Sequence, residues 1–213
     1  MVFAKECWPF VLPVLGLAGF LFVVGYPRWA IAAGIVAIVV LLFFRIPPRP
    51  DASHTDGVLS PANGKILKLE KLDDPAVGPG TFHKIVIFLS VFNIHVQRVP
   101  VTGSVAASRY TPGRKLAAFD SRAGDVNEQH LTVLQRPNGD RVGVHQIAGL
   151  LARRVVTYLE TDQEVAKGQL MGVIKFGSRV DLLVPVSYHL EVEVGQKVIE
   201  GATVIARQET ETP

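Results

Sequence analysis

Val173-Ile174-Lys175-Phe176-Gly177-Ser178-Arg179-Val180-Asp181-Leu182-Leu183-Val184-Pro185 sets two apolar, β-branched runs on either side of one Gly-Ser pair. Short apolar runs bounded by turn residues predict strands rather than helices. A Gly-Ser pair between strands is ordinarily a bulge or a tight turn, because glycine accepts backbone angles that a Cβ hinders. Working outward, similar runs recur at 65–69, 84–89, 95–99, 131–134, 189–194 and 203–206, mostly bounded by Gly, Pro, Asn or Asp. The chain from Asp51 onward therefore predicts a mainly β domain with few helices. One helix is expected over 146–159, where Ile147, Leu150, Leu151, Val155 and Tyr158 recur at helical spacing. Arg153 and Arg154 would then face solvent or a lipid head group.

The N-terminal part is different in kind. Of the 213 residues 48% are hydrophobic, and the excess is concentrated near the start. No charge occurs between Pro9 and Tyr26 or between Trp29 and Phe44, and only Tyr26-Pro27-Arg28-Trp29 separates the two stretches. This predicts a hydrophobic helical hairpin over 1–46 that anchors the chain in a membrane. Each run of about 15 to 18 residues reaches roughly 23 to 27 Å against a hydrocarbon core of roughly 30 Å, so two short spans and one re-entrant hairpin both fit. A cleaved signal peptide fits poorly, because no small-residue cleavage site separates the two runs. Pro47, Pro48 and Pro50 stiffen a linker over 47–58, and 59–213 is the folded domain. Lys5, Arg45 and Arg49 flank the open end of the hairpin while Arg28 lies at its tip, which places that domain on the cytoplasmic side of the cell membrane.

Cys7 is the only cysteine, so the chain has no intrachain disulfide and no basis for a cysteine metal site. The formal net charge of +3 is spread without aromatic interleaving. That argues against nucleic acid as a partner and for an anionic membrane surface.

Several segments together resemble one family. The 173–185 stretch closely resembles the self-cleavage segment of the short-form phosphatidylserine decarboxylases, which are pyruvoyl-dependent, self-processing proenzymes. Ser60-Pro61-Ala62-Asn63-Gly64-Lys65, Phe88-Leu89-Ser90-Val91-Phe92-Asn93-Ile94-His95-Val96-Gln97-Arg98, Asn127-Glu128-Gln129 and Gln146-Ile147-Ala148-Gly149-Leu150-Leu151-Ala152-Arg153-Arg154 resemble further family segments, in the family's order. The apolar hairpin ending in Phe43-Phe44-Arg45 does so too, so the likeness covers essentially the whole chain. In addition, 194–206 resembles the turn-rich strand pairs of biotinyl and lipoyl carrier domains, which implies a β-sandwich or barrel-sandwich-hybrid-like domain. No modifiable Met-Lys or Asp-Lys-Ala element stands upstream, so that likeness concerns fold.

The family resemblance implies a chemistry. The Ser178 hydroxyl attacks the Gly177 carbonyl, and cleavage between them leaves a β chain, 1–177, and an α chain, 178–213, which stay associated. Ser178 becomes an N-terminal pyruvoyl group, the covalent cofactor, which forms a Schiff base with the serine amine of phosphatidylserine and accepts the electrons released with CO2. His95 is the implied proton donor to the resulting carbanion, and phosphatidylethanolamine is the product. Association of the domains into a homo-oligomer is a family-based expectation, and no metal is implied. His54, His83, His130, His145 and His189 carry no comparable motif support, although His145 adjoins the 146–149 segment and is a candidate to line the cleft. Arg153, Arg154 and Arg179 are candidates to hold the lipid phosphate, which an archaeal ether lipid with a serine head group would equally present.

Asn63 departs from the family pattern, which has an aspartate there that helps activate the serine through a histidine. An amide cannot act as that carboxylate. Four explanations stand open: a substitution that traps the precursor, another carboxylate such as Asp56 or Asp181 in its place, a chain that does not mature, and deamidation of Asn63-Gly64 to an aspartate. Two rival functions follow: a tethered binding module in which Gly177-Ser178 is only a turn, and a lipid-binding member that does not cleave.

Overall fold

The apolar run after Gly177 becomes the strand Ser178–Pro185, fifth in an eight-stranded antiparallel sheet. In this computed structural model, which describes residues 2–52, 55–118, 120, 122–150, 154–175 and 177–208, the sheet curls as a half barrel. Its order is Glu164–Val165, Gly103–Thr111, Gln129–Gln135, Arg141–Ala148, Ser178–Pro185, Thr81–Leu89, Gly64–Asp73 and Lys197–Val198. The chain divides into two compact units, 1–48 and 49–213, and the sheet lies in the second.

Strand periodicity explains why Ser178–Pro185 is apolar at nearly every position. Successive side chains point to opposite faces, and both faces of this strand are covered. Val180, Leu182 and Val184 join the principal core with Ile85, Ile87 and Leu89 on one side and Val142, Val144 and Ala148 on the other. Leu183 points the other way, into a second cluster with Val77, Phe82, Leu131 and Val133. Each fully buried aliphatic side chain of this kind contributes about 1.5 to 3 kcal/mol, so the strand is fixed before any chemistry is considered.

Two three-stranded antiparallel sheets complete the domain. One runs Val155–Thr157, Leu170–Ile174, Val96–Arg98 and the other Tyr188–Leu190, Val204–Gln208, Val58–Leu59. Met171 and Ile174 from the first, and Tyr188, Ile205 and Ala206 from the second, pack into the same principal core. The expected mainly β domain with few helices is what is observed.

The helix expected over 146–159 is not present among the described residues. Residues 146–148 finish the strand Arg141–Ala148, and Val155–Thr157 is an edge strand. The helical spacing was coincidental: Ile147 and Ala148 are committed to ladders with Gln129, Arg179 and Ser178, which satisfy more backbone groups than an isolated turn of helix would. Leu151, Ala152 and Arg153 lie outside the described residues.

The first unit is a pair of antiparallel helices, Trp8–Val23 and Pro27–Phe43, turned by Gly25 in the left-handed region with φ 86°. Val2–Phe3 pairs with Arg45–Ile46 to bring the ends together, and Phe10 stacks on Phe44 at 6.0 Å. Counted with the 3-10 turn before it, Lys5–Val23 is 19 residues and apolar enough to cross a membrane, and Pro27–Phe43 is shorter. Leu12, Phe20, Phe22, Trp29, Ile31 and Ile35 are exposed, which water opposes and lipid favours.

Candidate active site

Ser178 opens the central strand, opposite Leu89 on one side and Ala148 on the other. It shares the face of Val180 and Leu182, so its hydroxyl is carried inward. The residue is fully buried and its Oγ has no hydrogen-bond partner among the described residues. Leaving a buried hydroxyl unpaired costs about 1 to 3 kcal/mol, and folds seldom tolerate it without a use.

Gly177 sits immediately before it at φ 54°, the left-handed region that glycine enters without penalty. Among the described residues a Cβ there would meet only Val91 Cγ1, at 3.8 Å, so the backbone angle and not crowding calls for glycine. Crowding acts from the other side. A Cβ on Gly149 would lie 2.3 Å from the Gly177 carbonyl oxygen and 3.1 Å from its carbon, so position 149 must be bare for the two strand ends to meet.

His95 is fully buried beside this peptide. The Gly177 N–H donates to His95 Nε2 at 3.1 Å, so Nε2 carries the lone pair. Nδ1 therefore bears the proton and donates to the Asn93 carbonyl at 2.9 Å. Burial pushes the imidazole pKa down to about 4, with the Asn93 carbonyl pulling weakly the other way. At neutral pH the ring is an uncharged base.

Asn63 reaches His95 through Asn93. Its Oδ1 accepts from Asn93 Nδ2 at 2.8 Å, while Asn93 Oδ1 accepts from the Ser90 N–H at 2.9 Å and the Ser90 hydroxyl at 2.7 Å. A carboxylate oxygen at position 63 would accept the same bond. Gly64 is held in the ladder opposite Val198, which opposes the backbone motion that cyclisation of Asn63-Gly64 requires.

Two further supports lie under the histidine. Gln97 Nε2 donates to the His95 carbonyl at 2.7 Å, and Gln146 Nε2 donates to Gln97 Oε1 at 2.8 Å, both side chains fully buried. Asn127 holds the neighbouring loop: its amide bonds Leu116 N at 2.8 Å, Leu116 O at 2.9 Å and Ala148 O at 2.7 Å. Sequence reading placed Asn93, Gln97, Asn127 and Gln146 in quoted segments but gave them no role. For Gln97 and Gln146 the signal was their polarity at strand positions otherwise filled by Val and Ile; Asn93 and Asn127 lie outside strands and left none.

Other candidates are placed elsewhere. Asp181 accepts from Arg179 through both oxygens at 2.6 Å, with Lys84 Nζ at 3.4 Å. Both side chains lie on the sheet face opposite Ser178, so Asp181 cannot stand in for a carboxylate at His95. That same face carries a cleft of about 380 Å³ lined by Lys68, Glu70, Lys84, Asp125 and Arg179. His145 also points there, toward Asp74 Oδ2 at 3.6 Å, and not toward Ser178. His130 bonds the Ser108 hydroxyl at 2.8 Å, His189 is exposed and His83 half-buried. The Asp56 carbonyl accepts from Arg207 at 3.3 Å. Arg154 is exposed, and His54 and Arg153 lie outside the described residues.

Comparison with known proteins places the chain in a family. The phosphatidylserine decarboxylase family matches residues 36–206. A phosphatidylserine decarboxylase proenzyme of Symbiobacterium thermophilum is 39% identical over 206 residues, covering 97% of this chain and 95% of that one. Proenzymes of the same name from Burkholderia lata and Burkholderia ambifaria are 36% and 37% identical over 208 residues, covering 98% of this chain and 97% of theirs. Relatives named as proenzymes of a decarboxylase give no support to a binding module. With the family matching across the sheet and its Gly177-Ser178 junction, the chain belongs to the phosphatidylserine decarboxylase family.

Proposed function

We propose that this protein decarboxylates phosphatidylserine to phosphatidylethanolamine, using a pyruvoyl group that it makes from its own Ser178. The observation that carries the reading is the junction itself: a buried Ser178 hydroxyl with no partner among the described residues follows a left-handed Gly177 whose amide is held by an uncharged His95.

These residues fit the making of the group. As Ser178 Oγ bonds to the Gly177 carbonyl carbon, the C–N bond breaks and the acyl group moves from nitrogen to oxygen; His95 Nε2, which must exchange the Gly177 N–H for the Ser178 hydroxyl to do so, is the base that relays the hydroxyl proton to the departing nitrogen. Loss of the Ser178 Cα proton expels the Gly177 carboxylate. The dehydroalanine left on the new N-terminus tautomerises, and one water releases ammonia to give the ketone. The left-handed turn exposes the carbonyl to attack, and Gln97 and Gln146 keep His95 from drifting away.

Once formed, the pyruvoyl group supplies an electron sink for the pair released when the carboxylate leaves as CO2. His95 is the residue placed to hold the proton that returns to the substrate carbon. The apolar walls of the fully buried Leu89 and Ala148 exclude water. After cleavage the β chain 1–177 and α chain 178–213 stay together through the sheet, and the apolar hairpin anchors the domain on the cytoplasmic face of the membrane.

The test is CO2 release from phosphatidylserine labelled in the carboxyl group, in proteoliposomes. Release that is abolished by borohydride reduction of the ketone supports the reading. Release that survives in Ser178→Ala contradicts it.

A further inference from the structure

The loop that leads into His95 has a composition that folding does not explain. Asn93 N donates to the Ser90 carbonyl at 2.9 Å, closing a tight turn with Val91 and Phe92 at its two corners. Such corners usually hold Gly, Asn, Asp, Ser or Pro. Here Phe92 is 88% exposed and Val91 42% exposed. The turn is clamped at its base by Asn93, which takes the two Ser90 bonds and donates to Asn63. Phe92 is therefore presented outward by a fixed support, while the same Asn93 fixes His95 inward through its carbonyl.

A second exposed apolar side chain stands nearby. Leu150 is 65% exposed and follows Gly149, which touches the Gly177 carbonyl, and Val91 approaches Gly177 from the other strand. Both protrusions thus adjoin residues that pack against Gly177, on the two sides of the junction. Exposed Arg154 and half-buried Lys175 adjoin them, joined by a bond from Lys175 N to the Arg154 carbonyl at 3.1 Å. Aromatic and aliphatic tips with basic neighbours match the interface of an anionic bilayer, where the rings enter the acyl boundary and the cations meet head-group phosphates.

We infer that the Ser90–Asn93 turn and Leu150 form a docking surface that inserts into an anionic phospholipid bilayer and brings the site mouth down onto the lipid head groups. This rests on the decarboxylase reading for its purpose, since a buried site must be brought to a lipid that stays in the membrane. The hairpin tethers the chain, and this surface orients the domain.

The experiment uses the full chain carrying Ser178→Ala, with Trp8→Phe and Trp29→Phe, in vesicles of phosphatidylcholine and phosphatidylglycerol. Phe92→Trp is compared with Val186→Trp, which lies beyond the opposite end of the central strand and is 42% exposed. With bromine on the lipid acyl chains, the tryptophan at position 92 loses more than half of its emission and that at position 186 changes little. Equal quenching at the two positions overturns the inference. Because this chain neither cleaves nor turns over, a negative result leaves the decarboxylase reading standing. In the otherwise unaltered protein, Phe92→Ser raises the half-saturating surface concentration of phosphatidylserine roughly tenfold, as expected when one aromatic anchor is lost. An unchanged value counts against the surface.

Discussion

One methyl group at position 149 should stop the chain from cutting itself while leaving it folded. A Cβ there would lie 2.3 Å from the Gly177 carbonyl oxygen, about 1 Å inside ordinary carbon–oxygen contact. Gly149 is outside the left-handed region, so alanine is compatible with its backbone and even reduces the freedom of the unfolded chain. The clash is with backbone and not with the end of a flexible side chain, so relieving it shifts the Gly177 carbonyl and the Gly149 backbone against each other. Displacement of a reacting group by about 1 Å slows reaction on the order of 100-fold, whereas overpacking of this kind costs about 1 to 3 kcal/mol of stability. The assay follows disappearance of the 23.2 kDa chain in Gly149→Ala, with thermal melting of Gly149→Ala in the uncut Ser178→Ala background. The expected result is about 100-fold slower cleavage with a melting loss of no more than about 10 °C. Cleavage within a factor of two of the parent would refute the assigned contact.

Asn63→Asp should speed chain cleavage at least tenfold, because a carboxylate keeps the Asn93 bond and adds a negative charge that stabilises a protonated His95; the loss of such a charge elsewhere costs about 10⁴-fold. Time-resolved mass analysis decides it, and an equal rate would remove position 63 from the relay. His95 should make the fold sensitive to acid. Its pKa is about 6.5 unfolded and about 4 folded, so the unfolded chain takes up its proton first as pH falls. Stability held above pH 6.5 then declines toward pH 4, by up to about 3 kcal/mol. His83 and His130 are lowered by burial as well, so the check is a smaller slope of denaturation midpoint against pH in His95→Gln. The two halves should not separate after cleavage. The strand Ser178–Pro185 makes eight residue pairs with Thr81–Leu89 and six with Arg141–Ala148, so native mass analysis should give one complex that only denaturant splits.

Much of this was legible in the sequence because the central strand and the hairpin are driven by bulk burial, which leaves long apolar runs. The junction at Gly177-Ser178 and His95 could be named from motif resemblance. Other features left no such trace. The strand Gly103–Thr111 is rich in Ala and Ser and owes its place to pairing with Gln129–Gln135. The 146–159 segment imitated a helix because a strand end, a glycine and an edge strand happened to space their apolar residues that way. The bridge of Asn93 between Asn63 and His95 depends on a turn that brings residues 30 apart into contact, which local pattern cannot report. Gly149 reads as an ordinary turn glycine until its distance to Gly177 is known.

The central claim is that the chain breaks its own backbone after Gly177, and intact-mass analysis of the membrane-extracted protein under denaturing conditions tests it most directly. The account predicts two fragments, 1–177 and 178–213, the shorter beginning in a pyruvoyl group, with Ser178→Ala uncut. A single 23.2 kDa chain that stays whole both as it stands and after Asn63→Asp would contradict it.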